Sequence, residues 1–140
     1  MPKVVLDWKT AEGFMFDAFT SVGVPAEDAK IVTDVVLESD RRGIESHGCN
    51  RFKPFYIDRI KKGIQQPVTN FEIVKDTPTT AVVDGHDGMG QVIGYKAMSL
   101  AIEKAARFGV ADGDLLMTHW YEEMGQYKTL ATRLSLSDRD

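Results

Sequence analysis

The chain has 140 residues, of which 43% are hydrophobic and 27% charged, and carries a formal net charge of -4. This length suits one domain or part of a larger one, and the composition excludes an intrinsically disordered chain. The acidic balance excludes a nucleic-acid footprint, which needs clustered Lys and Arg to neutralise phosphates.

Cys49 is the single cysteine, so no intramolecular disulfide is expected and a reducing compartment fits. Near the N-terminus the apolar run Val4-Val5-Leu6 is broken by Asp7, too short for the core of a signal peptide. No window approaches the ~20 apolar residues of a membrane span. The expectation is a cytoplasmic chain with neither membrane nor nucleic-acid partners.

Ala11, Phe14, Met15, Ala18 and Phe19 recur at helical spacing and predict an amphipathic helix from about Trp8 to Thr20, closed near Gly23. Pro25 suits the first turn of the next helix, where its missing N–H costs nothing. Glu27 and Asp28 complement the positive end of that helix. Ile31, Val32, Val35 and Val36 form its predicted inner face, and it ends near Gly43.

Ser46 is a predicted N-cap for a third helix reaching Lys62, with Phe52, Phe55, Tyr56, Ile57 and Ile60 on its apolar side and a kink at Pro54. The basic cluster Arg59-Ile60-Lys61-Lys62 sits at its end, where cations complement the helix dipole.

From Val68 the pattern becomes β-rich. Residues 71–75 and 79–83 predict two adjacent strands joined by a turn at Asp76-Thr77-Pro78. A glycine-dense segment, Asp84 to Gln91, then leads into a strong helix from about Gln91 to Phe108. Its predicted inner face carries Val92, Ala97, Met98, Ala101, Ile102 and Ala105. Beyond Gly109, Met124, Tyr127, Leu130, Ala131 and Leu134 fall at helical spacing.

The chain has three histidines, His47, His86 and His119, a residue type able to take or give a proton near neutral pH. His47 stands between Ser46 and Gly48, and Arg51 follows four residues on. In a helix, His47 and Arg51 would share a face, pairing an acid/base with a guanidinium fork for a carboxylate. Equally, Ser46 caps, His47 lies at the surface and Arg51 is solvated; spacing alone does not choose.

In Gly88-Met89-Gly90-Gln91-Val92-Ile93-Gly94 the sixth place, where a dinucleotide fingerprint needs glycine, holds Ile93. A Rossmann site is therefore rejected, and the glycines read as a strand-to-helix turn with positive φ, His86 being exposed and idle in it. Asp84 and Asp87 also read as turn residues rather than metal ligands, and no metal is expected. Cys49 is discounted as a nucleophile paired with its histidine neighbour.

The run Glu38-Ser39-Asp40-Arg41-Arg42-Gly43-Ile44-Glu45-Ser46-His47-Gly48, then Arg51 and Tyr56 to Ile60, resembles the N-terminal hallmark of the type 2 malate/L-lactate dehydrogenases. Val83-Asp84-Gly85, Gly88 to Gln91 and Ala101 to Ala105 are similar to that family too.

The resemblance implies an NAD- or NADP-dependent oxidoreductase of malate- or L-lactate-type 2-hydroxy acids and their 2-keto products, homodimeric, on a mixed α/β fold distinct from Rossmann. It implies that Ser46 and His47 lie in the substrate pocket, that Arg51 holds the substrate carboxylate and that Tyr56 stands nearby. Thr118-His119-Trp120 resembles the start of a second motif whose histidine, here His119, is the other candidate acid/base.

Family members are well over twice as long. The expectation is therefore an N-terminal helical region, residues 1–65, and a truncated start of the α/β cofactor and substrate domain, residues 66–140. The alternative is an inactive fragment acting only as a folding or dimerisation unit. The resemblance assigns no cofactor-binding residue in this chain.

Overall fold

A computed structural model of the protein describes residues 5–108, with the backbone of two further strands at 113–121 and 126–134. It divides into two compact units, Met1–Val68 and Thr69–Asp140.

The first unit is helical. Helix α1 spans Trp8–Ser21 and is capped by Asp7, whose carboxylate accepts from the Thr10 backbone N–H at 3.1 Å. Such a cap satisfies one of the donors a helix start leaves open. Met15 and Phe19, one turn apart, are its buried residues. The helix closes through Gly23, whose φ of +94° only glycine adopts without strain.

Helix α2 spans Ala26–Arg41, with Pro25 just outside it as N-cap rather than within the first turn. Its buried stripe is Ala29, Val32, Thr33, Val36 and Leu37. Val35, expected inside, is 45% exposed. At 3.6 residues per turn it lies roughly 100° to one side of the stripe's centre, beyond the face that packing covers.

The third predicted helix is instead a chain of short pieces. A 3₁₀ turn at Glu45–His47 leads to α3 (Cys49–Arg51), a π-helical turn (Phe52–Ile57) and α4 (Asp58–Lys61). The break comes where Pro54 was expected to kink the chain. Pro54 has no N–H to donate and its ring crowds the carbonyl four residues back, and the wider π turn accommodates both. The buried side of this segment is Phe52, Ile57 and Ile60. Phe52 meets Phe19 edge-on at 5.1 Å and Phe14 at 5.9 Å, while Tyr56 meets Phe19 at 6.1 Å. Phe19, fully buried, thus joins the helical hairpin to the segment that carries the candidate site.

In the second unit, β1 (Glu72–Asp76) and β2 (Ala81–Asp84) form an antiparallel pair with Glu72 opposite Asp84 and an irregularity between Ile73 and Lys75. Thr77 closes the turn: its N–H donates to the Thr80 carbonyl at 2.9 Å. Helix α5 spans Gly90–Phe108. Lys104 ties it to the hairpin, its ammonium 2.5 Å from Asp76 and 2.6 Å from the Thr77 carbonyl. Met89 and Val92 are fully buried, whereas Ile102, expected on the inner face, is 57% exposed.

β3 (Gly113–Tyr121) and β4 (Gln126–Leu134) form a second antiparallel pair, from Gly113 opposite Leu134 to Tyr121 opposite Gln126. The helical spacing expected after Met124 is therefore a strand. Tyr127, Thr129 and Thr132 are β-favouring residues, and pairing with β3 outweighs a weak period. The architecture is α/β, with two-stranded antiparallel sheets and no βαβ crossover among the described residues. No helix among them is long and apolar enough to cross a membrane.

Candidate functional site

The predicted residues Ser46, His47, Arg51 and Tyr56 fall in the first unit, on the short pieces between Glu45 and Ile57. Ser46 and His47 are exposed, while Arg51 and Tyr56 are half-buried. The Ser46 hydroxyl lies 2.9 Å from His47 Nδ1. When that hydroxyl accepts from Nδ1–H, the lone pair stands on Nε2, the nitrogen able to take a proton.

Arg51 Nε donates to the Ser46 carbonyl at 2.5 Å, and its guanidinium carbon lies 4.6 Å from the centre of the Phe55 ring. These two contacts fix the plane of the guanidinium. Sequence spacing pointed to a shared helical face for His47 and Arg51. The chain is not one helix there; the Arg51–Ser46 bond is what brings the cation to the Ser-His pair. An imidazole and an oriented guanidinium within six residues can move a proton and hold a carboxylate.

Ser46 does not cap the helix that follows. Its hydroxyl is engaged by His47, and the N–H of Cys49, at the start of α3, donates instead to the Asp40 carboxylate at 2.8 Å. Asp40 comes from the last turn of α2. Gly48 is buried against it: a Cβ there would stand 1.7 Å from Asp40 Oδ1 and 2.2 Å from Cγ. The glycine is required by close approach, since any side chain there would meet the Asp40 carboxylate.

The Cys49 thiol is pushed up to about 12, by partial burial first and by the hydrogen bond and charge of Asp40 next. Such a thiol is almost wholly protonated at neutral pH and is no nucleophile. Sequence reasoning missed the cap from Asp40 and the stacking of Phe55. The signal for Phe55 was its i,i+4 distance from Arg51; Asp40 gave none beyond its place in the quoted run.

The other histidines lie in the second unit. His119 occupies β3, in register with Lys128 of β4; an acid/base role for it concerns a side chain outside the described residues. His86 is exposed but not idle. Its Nε2 is 2.5 Å from a Glu72 carboxylate oxygen, which raises its pKa above the ordinary histidine value, with Asp84 and Asp87 adding to the effect. The Asp84 carboxylate accepts from the His86 N–H at 2.9 Å, as expected of a turn residue.

The positive φ values of this turn belong to His86 (+45°) and Asp87 (+58°), not to the glycines. Gly85 and Gly88 are there because a Cβ on the first would stand 2.2 Å from the Ile93 side chain and on the second 2.9 Å from Thr69. Among the described residues, no group of three or more His, Cys, Asp or Glu is placed to hold a metal ion.

A sequence model of the family described as malate/L-lactate dehydrogenase matches residues 6–135. The L-sulfolactate dehydrogenase of Methanocaldococcus jannaschii is 41% identical over 128 residues, covering 91% of this chain and 37% of that protein. The malate dehydrogenase of Pyrococcus abyssi is 42% identical over 118 residues, covering 84% of this chain and 32% of that one. The crystal structure of a malate dehydrogenase from Entamoeba histolytica superposes with a TM-score of 0.75 at 40% identity, over 79% of this chain and 30% of the other. The chain thus spans about a third of the length of these relatives.

Proposed function

The chain belongs to the malate/L-lactate dehydrogenase family, and we propose that its residues 45–56 supply the substrate-binding and proton-transfer part of a 2-hydroxyacid oxidoreductase. Malate, L-lactate and sulfolactate are all 2-hydroxy acids, so the shared requirement is a carboxylate beside a hydroxyl carbon. In this reading the guanidinium of Arg51 holds the carboxylate in a planar fork. His47 Nε2 takes the hydroxyl proton in the oxidative direction and returns it to the alkoxide in the reductive one. Ser46 fixes the tautomer of His47, and Tyr56 lines the same side. His119 is the competing acid/base.

The observation that carries the reading is the Ser46–His47 contact at 2.9 Å with Arg51 Nε bonded to the Ser46 carbonyl at 2.5 Å. The nicotinamide cofactor, NAD or NADP, is proposed to bind outside the glycine turn at 85–88. Residues 66–140 are proposed as the beginning of the domain that holds it, and a homodimer as the assembly that completes it.

A second reading, that this chain alone is a folding or dimerisation unit, predicts no binding of cofactor or 2-hydroxy acid. Titration with NADH and NADPH, then with malate and L-lactate, separates the two. Saturable binding supports the oxidoreductase reading, and no binding at millimolar ligand leaves the second. Arg51→Lys is expected to weaken 2-hydroxyacid binding by about tenfold or more, because Lys cannot form the fork. Unchanged affinity in that variant removes Arg51 from the site.

A further inference from the structure

We propose that Asp40 is the positioning residue of the candidate substrate pocket, holding Ser46, His47 and Arg51 in place through the Cys49 N–H and the packed face of Gly48. The proposal rests on the substrate reading given above and names the residue that sets its geometry.

The segment from Glu45 to Ile57 has no long helix of its own to hold it. Its 3₁₀, α and π pieces have three, three and six residues. A piece that short is too small to sustain itself, so its conformation comes from outside contacts. At its N-terminal half, two of them come from Asp40. Asp40 Oδ2 accepts from the Cys49 N–H at 2.8 Å, and the Asp40 carboxylate fills the space where Gly48 has no side chain.

Asp40 itself belongs to α2, which is anchored by the buried Val32, Val36 and Leu37. The carboxylate therefore ties the segment to a helix with a buried apolar face, at Gly48 and Cys49, between His47 and Arg51 in the chain. The Arg51–Ser46 bond then closes residues 46–51 into a ring around that tie. A charged acceptor suits the place, since bonds from N–H to a carboxylate are about twice as strong as neutral ones. The pKa of the Cys49 thiol, raised first by burial, is raised further by the hydrogen bond and charge of the same carboxylate.

The test compares the whole chain with Asp40→Ala and Asp40→Asn. The amide oxygen of Asn can still accept from the Cys49 N–H, so Asn is the rescue. NMR reads the Arg51 Nε–H signal and the His47 ring nitrogens, which report the Ser46 bonds directly. Malate and L-lactate titrations read the pocket.

Asp40→Ala is expected to shift both sets of signals and to weaken acid binding by about tenfold, the loss of one charged hydrogen bond. Asp40→Asn is expected to keep the signals and to bind within about threefold of the wild type. Wild-type signals and affinity in Asp40→Ala would overturn the proposal, as would an Asn variant as impaired as the Ala one. If Asp40→Ala does not fold, amide exchange at Cys49 in Asp40→Asn decides: protection near wild type supports the tie and its loss overturns it. A wild-type chain that binds neither acid refutes the substrate reading alone, and the NMR signals then judge Asp40 separately.

Discussion

Replacing Gly48 with alanine puts a methyl group where the Asp40 carboxylate stands. The added Cβ would lie 1.7 Å from Oδ1, 2.2 Å from Cγ and 2.6 Å from Oδ2. Non-bonded contacts settle near 3.5 Å, so the carboxylate has to retreat by roughly 1.5 Å or more. A short side chain cannot do that within one rotamer, and the move takes Oδ2 away from the Cys49 N–H it now meets at 2.8 Å.

Losing a hydrogen bond to a charged group costs about 1.5–3 kcal/mol, and a displaced rotamer adds about 0.5–1.5 kcal/mol. The stiffer unfolded chain of alanine offsets about 0.4–1 kcal/mol of this, and the half-buried position of Asp40 lowers the first figure. The net expectation is a loss of about 1.5–3 kcal/mol. Urea unfolding followed by circular dichroism measures it, provided the slope m is unchanged. The control is the same substitution in an Asp40→Ala background, where the obstacle is gone and the cost should fall by about 1 kcal/mol or more. A single Gly48→Ala variant as stable as the wild type, or one whose cost persists without Asp40, would refute the steric account.

Phe19→Ala is expected to cost about 3–5 kcal/mol, since Phe19 is fully buried and meets Phe52 and Tyr56 edge-on; thermal unfolding reads it, and a small change would mean that this ring does not join the segments. Cys49 should react with iodoacetamide at pH 8 more than a hundredfold slower than a free thiol of ordinary pKa, because its own is pushed up to about 12; rapid labelling would contradict the burial and Asp40 effects.

His86 should titrate above the ordinary value near 6.5, held up chiefly by the Glu72 hydrogen bond. A raised folded pKa means that its stabilisation is fully present below pH 6.5 or so and is lost as pH rises through the raised value. Proton NMR of His86 in Glu72→Gln should show the midpoint falling back, and an unmoved midpoint would discount the pair.

The sequence by itself determined the elements whose signals are local. The apolar period of α1 and α2, their ends at Gly23 and Gly43 and the start of α5 beside the glycine turn all follow from side-chain spacing and backbone freedom. The quoted run through Ser46, His47, Gly48 and Arg51 pointed to the family. Tertiary structure decided what depends on residues far apart in the chain. The cap of α3 comes from Asp40, nine residues before the N–H it accepts. Val35 and Ile102 face outward because neighbouring elements cover only one stripe of each helix. The stretch after Met124 is a strand because β3 is there to pair with it. Gly48 carries no packing signal in the sequence and in the structure is a packing residue. Spacing reports what a residue can do along its own element, and only the fold reports what stands against it.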